Sequence, residues 1–132
     1  MRRVLVTDAS VVVDLLARFA AEPIETALFG GHGQLVAPEL LDIEVLHTLR
    51  KLETTEAIPP SRRARVLDDF RALPIRRFRH AALWQDVWQL RRNLTAYDAC
   101  YVALARQLEA TLVTRDERIA RAPGMGINIE VV

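Results

Sequence analysis

Four acidic residues fall where a chain of this pattern can do chemistry. Asp8 follows the apolar run Val4-Leu5-Val6, and Asp116 lies two residues past Thr111-Leu112-Val113-Thr114. Asp98 sits in the first turn of the helix leading into that second run, and Glu44 one turn along the helix after Gln34-Leu35-Val36-Ala37. Parallel α/β sheets bind ligands outside the carboxyl ends of their strands, so all four acids can project to one edge of one sheet. Two unit charges about 5 Å apart at an effective dielectric near 20 repel by about 3 kcal/mol. Such a cluster either raises its own pKa values or binds a divalent cation. An all-oxygen donor set suits Mg²⁺ or Mn²⁺. Each acid also has a structural reading. Asp8 can cap the helix at Ser10, and Asp116 the turn that follows it. Thr95-Ala96-Tyr97-Asp98 has the form of a capping box with Asp in place of Glu. Glu44 flanks the apolar face of its helix, as a boundary residue does. Joint placement at one sheet edge is what favours chemistry. Asp14, Glu39 and Asp42, close by in sequence, read as solvent-facing.

The elements that must position these acids show in the hydrophobic periodicity. Short apolar runs predict strands at Val4–Val6, Gln34–Ala37, Ile75–Phe78, Thr111–Thr114 and Ile127–Val132. Helices are expected over Ser10–Ala17, Glu22–Phe29, Glu39–Glu53, Arg62–Leu73, His80–Asn93 and Ala96–Glu109, with a helical turn from Glu117 to Ala122. Pro23 suits a first helical turn, and Pro74 stops the fourth helix. Gly30-Gly31-His32-Gly33 reads as a stop and a loop. Leu41, Val45, Leu49 and Leu52 fall on one face of the third helix. Leu83, Trp84, Val87, Trp88 and Leu90 are the apolar positions of the fifth, where Trp84 and Trp88 read as core rather than as base-stacking platforms. Ala96, Ala99, Cys100, Ala103 and Ala105 make the sixth a close-packing helix, with Cys100 read as a small buried hydrophobe. Strands alternating with helices mean an α/β fold with a mostly parallel sheet. No internal repeat or linker divides the chain, so 1–132 reads as a single domain.

The chain has 132 residues, 51% hydrophobic and 27% charged, enough apolar material for a core. Its net charge is +1, from 18 basic and 17 acidic residues, so no global field advertises a nucleic-acid or membrane partner. Cys100 is the lone cysteine, which excludes an internal disulfide and a Cys-rich zinc site. The basic start Met1-Arg2-Arg3 and the apolar run after it are cut short by Thr7-Asp8, too soon for a signal peptide. No run approaches the roughly 18 apolar residues of a membrane span. A soluble cytoplasmic protein is the expectation. Other acid-bearing folds match less well. A phosphoacceptor domain expects an adjacent acidic pair after the first strand and a late lysine. Here Ala9 follows Asp8, and Lys51 is mid-helix. Gly30-Gly31-His32-Gly33 lacks the Lys-Ser/Thr of a phosphate loop. Glu44-Val45-Leu46-His47 spells half of a di-iron motif, but no second copy exists, and His47 reads as a helix-surface residue.

Four segments together carry a family resemblance: Val4-Leu5-Val6-Thr7-Asp8-Ala9-Ser10; Ala37-Pro38-Glu39-Leu40-Leu41-Asp42-Ile43-Glu44 with Leu49-Arg50; Leu94-Thr95-Ala96-Tyr97-Asp98-Ala99-Cys100-Tyr101-Val102-Ala103-Leu104-Ala105; and Leu112-Val113-Thr114-Arg115-Asp116-Glu117-Arg118. In this order and spacing the chain resembles PIN-domain proteins, specifically the VapC type of toxin from bacterial toxin–antitoxin pairs. The resemblance implies a PIN-like three-layer α/β/α sandwich with a mostly parallel central sheet of about five strands. It implies a metal-dependent endoribonuclease whose acids map onto Asp8, Glu44, Asp98 and Asp116, with Ser10 and Thr114 as polar helpers. Mg²⁺ or Mn²⁺ is the implied cofactor, with Asp8 and Asp98 as the leading ligands and Glu44 and Asp116 ligating directly or through water. Metal-activated water would cleave RNA to leave a 3′-hydroxyl and a 5′-phosphate. Arg115 and Arg118 beside the fourth acid, and Arg91 and Arg92 before the third, are the expected RNA contacts. The implied partners are a VapB-type antitoxin, RNA and a second copy of the chain. An antitoxin would lay a helix or strand into an apolar groove, for which Ser10–Phe19 and Arg62–Leu73 are the candidate walls. The alternative is a catalytically inactive PIN-like scaffold that binds RNA or protein.

Overall fold

The computed structural model describes residues 3–31, 33–122 and 124–132. Met1, Arg2 and His32, which enter the readings above, lie outside the described residues. Five strands form one sheet: β1 (Arg3–Thr7), β2 (Gly33–Pro38), β3 (Ile75–Phe78), β4 (Thr111–Thr114) and β5 (Ile129–Val131). Every pairing is parallel, in the order β3-β2-β1-β4-β5. Runs such as Leu5-Val6 and Leu112-Val113 are buried on both faces, as a sheet covered by helices on each side requires. β2 starts at Gly33, where any Cβ would stand 2.9 Å from the Arg3 carbonyl oxygen of the paired strand.

The helices are α1 (Ala9–Ala17), α2 (Ala21–Phe29), α3 (Leu40–Thr54), α4 (Pro60–Arg63), α5 (Val66–Ala72), α6 (Trp84–Gln89), α7 (Ala96–Leu108) and α8 (Glu117–Arg121). Chain order runs from β1 out through β2 to β3, then returns across the sheet to β4. Right-handed crossovers therefore place the outbound helices on one face and the returning ones on the other. The packing agrees: α1 meets α2, α3 and α5, whereas α7 meets α6 and lies along β1, β2 and β4. The small side chains Ala99, Ala103 and Ala105, all buried, let α7 approach the sheet closely.

Several expectations change. The single helix expected over Arg62–Leu73 is two, joined by a tight turn that the Arg65 amide closes on the Arg62 carbonyl at 3.0 Å. Leu67 is left exposed as a result. His80–Asn93 is a 3₁₀ turn (His80–Leu83), then α6, then further turns. Its inward positions are Leu83, Val87 and Leu90, so Trp84 and Trp88, each one position round the helix, are 71% and 66% exposed. The tryptophans are surface, not core. Cys100 is half-buried rather than buried.

Candidate active site

β1 and β4 are neighbours whose following connections depart to opposite sides of the sheet, which is where open α/β sheets form their crevice. Thr7 pairs with Val113, so Asp8 and Thr114 come side by side just beyond the register. The Asp8 amide still bonds the Val113 carbonyl at 3.3 Å, which holds the turn against the sheet. Asp8 is only 7% exposed. One carboxylate oxygen accepts from the Ser10 hydroxyl at 2.6 Å and the Val11 amide at 3.2 Å; the other accepts from the Thr114 hydroxyl. Asp8 is thus both the N-cap of α1 and the buried floor of the site.

The other acids close around it. Glu44, on the first turns of α3, accepts from the Tyr101 hydroxyl at 2.5 Å. On α7, the Thr95 hydroxyl accepts the Asp98 amide at 3.2 Å, so Thr95 does the capping and Asp98 belongs to the rim. Asp116 caps α8 and is gripped by Arg118, whose Nε and guanidinium amine donate to its two oxygens at 3.1 and 2.9 Å. The Asp116 amide donates to the Thr114 hydroxyl at 3.0 Å, linking the fourth acid to the first through one side chain. All four line one open cleft of about 310 Å³, with Ser10, Asp14, Thr48 and Tyr101.

Burial is the main force on the acids' protonation. It pushes Asp8 up, against the hydrogen bonds from Ser10, Thr114 and Val11, with the nearby Asp98 adding to the rise. Glu44 is raised by burial and by Asp98 and Asp8, and Tyr101 opposes this. Asp98 is raised by burial and then by Asp116. Asp116 goes the other way, held low by the Arg118 hydrogen bonds. Three carboxyls that burial and one another hold above their ordinary range form a site short of positive charge.

Among the described residues, no three His, Cys, Asp or Glu side chains close into a ready-made metal cage. In the structure Thr114 and Ser10 hold Asp8, Tyr101 holds Glu44 and Arg118 holds Asp116. The donor chemistry nonetheless fits a hard cation. Mg²⁺ commonly takes one or two carboxylates and fills its remaining positions with water and phosphate oxygens, which an open, all-oxygen cleft allows.

Three lining residues escaped the sequence reading. Asp14, expected in solvent, is half-buried at the cleft and paired with the Arg115 Nε at 2.5 Å. It lies four residues after Ser10, on the same helix face. Tyr101 follows Asp98 by three and Thr48 follows Glu44 by four, so helical spacing was the available signal. Asp42 pairs with Arg77 at 2.8 Å and is also only half-exposed. The four arginines differ in freedom. Arg115 is committed to Asp14 and to the Val132 carbonyl at 3.1 Å, and Arg118 to Asp116. Arg91 stacks over the Trp88 ring, 4.4 Å from its centre, and Arg92 is exposed.

The PIN domain family model matches residues 5–125. Ribonuclease VapC1 of Mycobacterium tuberculosis is 41% identical over 128 residues, covering 96% of this chain and 96% of that protein. Ribonuclease VapC3 of the same organism is 34% identical over 118 residues, covering 89% and 86%. Among solved structures, PAE2754 from Pyrobaculum aerophilum superposes with a TM-score of 0.64 at 21% identity, covering 98% of this chain and 92% of that one. VapBC2 from Rickettsia felis, bound to a DNA fragment from their promoter, gives 0.64 at 14% identity, covering 97% and 98%. With its parallel five-stranded sheet and its acids at the β1–β4 edge, the chain belongs to the PIN-domain family, alongside the VapC ribonucleases.

Proposed function

We propose that this chain is an endoribonuclease dependent on Mg²⁺ or Mn²⁺, the toxin of a toxin–antitoxin pair working in the cytoplasm. The observation that carries the metal-dependent chemistry is the convergence of Asp8, Glu44, Asp98 and Asp116 on one cleft at the sheet's carboxyl edge. The ribonuclease names of the relatives, the first at 41% identity over nearly the whole chain, supply the substrate class. Among the described residues no helix is long and apolar enough to cross a membrane.

Asp8 and Asp98 would hold the cation, with Glu44 and Asp116 completing its surroundings. A bound divalent ion polarises a phosphate oxygen and makes a water acidic enough to attack near neutral pH. Ser10 and Thr114 fix both Asp8 oxygens, so this carboxylate needs no reorganisation when charge develops. Glu44, which lines the cleft with one oxygen held by Tyr101, would take a proton from the attacking water. Arg118, 86% exposed over Asp116, can exchange that carboxylate for an incoming phosphate. Arg91 and Arg92 would meet the RNA farther from the cut, whereas the Asp14 and Val132 bonds leave Arg115 a structural role.

An antitoxin would dock in a second groove, on the helices that the sequence nominated. α1, α2, α4 and α5 surround about 310 Å³ lined by Leu15, Leu16, Phe29 and Leu73, with Arg18, Glu25, Arg62 and Asp69 at its polar edge. A second copy of the chain would cover a different face. Trp84 and Trp88 on α6 are exposed, as are Ile43 and Leu46 on α3, and the His80 ring of the 3₁₀ turn before α6 accepts the Leu40 amide at the start of α3 at 2.8 Å. Large apolar side chains exposed in this way mark protein interfaces.

The test is cleavage of a labelled structured RNA pool by the antitoxin-free protein in Mg²⁺, Mn²⁺ and EDTA, beside Asp8→Asn and Asp98→Asn. Cleavage is expected to need metal and to vanish in both variants. Cleavage that survives EDTA and both substitutions refutes the site. Metal binding without cleavage of any RNA would favour the inactive scaffold.

A further inference from the structure

Tyr101 is 2% exposed, packed within α7, yet its hydroxyl reaches Glu44 Oε1 on α3 at 2.5 Å. These two helices pack on opposite faces of the sheet and meet here, at its carboxyl edge. Phenylalanine would fill the same buried volume, so packing does not call for the oxygen. A buried hydroxyl is costly unless it is bonded, and the partner of this one is an acid of the cleft. Glu44 has three side-chain torsions and is half-exposed, so without an anchor its carboxylate is free to sample solvent. The bond occupies Oε1; among the described residues Oε2 carries no hydrogen bond. The arrangement parallels Ser10 and Thr114 on Asp8: a hydroxyl donor behind each of these acids sets where its charge points.

We propose that Tyr101 is a positioning residue, whose phenol holds Glu44 so that its second oxygen is presented to the cation and the attacking water. This rests on the metal-dependent nuclease reading. Partners behind metal-site groups commonly cost about 10–100-fold in metal affinity or activity when removed. Tyr101→Phe keeps the ring and its packing while deleting only the donor.

The experiment measures Mn²⁺ affinity by calorimetry for the wild type, Tyr101→Phe, Glu44→Gln and the double variant, with thermal melts of each metal-free protein. Tyr101→Phe is expected to weaken Mn²⁺ binding about tenfold while the metal-free protein still melts in one cooperative transition, and to add nothing once Glu44 is Gln. In cleavage assays it should lower kcat and leave the KM for RNA unchanged. Wild-type affinity in Tyr101→Phe, or an equal loss in the Glu44→Gln background, overturns the proposal. Failure of the wild type itself to bind Mn²⁺ is a separate result, which overturns the metal reading and this role with it.

Discussion

Thr114→Val removes one oxygen from the most buried part of the site. Thr114 is fully buried; its hydroxyl donates to Asp8 and accepts the Asp116 amide at 3.0 Å. Valine has nearly the same shape, so the loss is polar. A hydrogen bond to a charged group contributes about 1.5–3 kcal/mol, and an amide left without its partner costs about 1 more. The sum is about 2.5–4 kcal/mol. For a chain of this length each kcal/mol shifts the melting temperature by about 3–5 °C, so a fall of about 8–20 °C is expected. The loss should depend on pH. Burial already raises the pKa of Asp8 in the folded state, and losing a donor to its charged form raises it further. The penalty applies where Asp8 is ionised, and it fades as pH falls through the folded-state pKa and the carboxyl takes up a proton. Thr114→Ser keeps the oxygen and loses a methyl group, costing about 1 kcal/mol. Thermal melts of the metal-free proteins in acid and at about pH 8 test this. A Val penalty equal at both values, or Ser behaving like Val, would refute the claim that the Thr114 hydroxyl serves the Asp8 charge.

Asp8→Asn should abolish cleavage yet raise the melting temperature of the metal-free protein near neutral pH. The folded-state pKa of Asp8 is raised, so ionisation costs stability as pH rises above the unfolded value, and asparagine escapes that cost while still capping α1. The gain should disappear in acid, where Asp8 is protonated in both states; a lower melting temperature at pH 7 would contradict the electrostatics. Trp88→Glu puts a charge on an exposed apolar side chain and should convert a dimer to a monomer in light scattering, with no loss of monomer stability. A wild type already monomeric at high concentration would remove the dimer assignment.

The strands and the four acids were legible because both follow from patterns that act locally. Buried parallel strands read as short apolar runs; an acid two residues past such a run, as Asp8 and Asp116 are, lands at the sheet's carboxyl edge, and Glu44 and Asp98 sit in the first turns of α3 and α7. The tryptophans were not legible. Trp84 and Trp88 share a spacing of four with Leu83 and Val87, shifted by one position, and spacing alone does not say which pair faces inward. The packing of the 3₁₀ turn and α6 on α7, where the Gln107 amide donates to the Ala82 carbonyl and to Asp86, settles the rotation. The break at Arg65 was equally hidden. Arg62 is drawn back to the Leu16 carbonyl at 2.9 Å, a contact between residues far apart in sequence. Tyr101 and Asp14 lay at helical spacings from named site residues, but their types also suit a core ring and a surface acid.

Capping and chemistry were competing readings of Asp8 and Asp116, and in the structure each caps a helix and lines the cleft at once. A residue at a strand-to-helix junction points its side chain at the free amides of the helix's first turn, and those same junctions form the sheet's carboxyl edge. The cap bond immobilises the carboxylate that the site needs, so Asp8 gains a fixed orientation from Val11, and Asp116 from Arg118. Asp98 follows the opposite route. Thr95 takes the cap of α7, which leaves the Asp98 carboxylate at the rim of the cleft, beside Asp116 and Asp8. Substituting a cap should therefore separate the roles. Thr95→Ala frays the start of α7 at a cost of about 1 kcal/mol and moves an acid it does not replace. Its effect on Mn²⁺ affinity should exceed that of Thr26→Ala, whose exposed hydroxyl bonds a carbonyl of α2 away from the cleft. Equal effects would mean that the caps serve the helices alone.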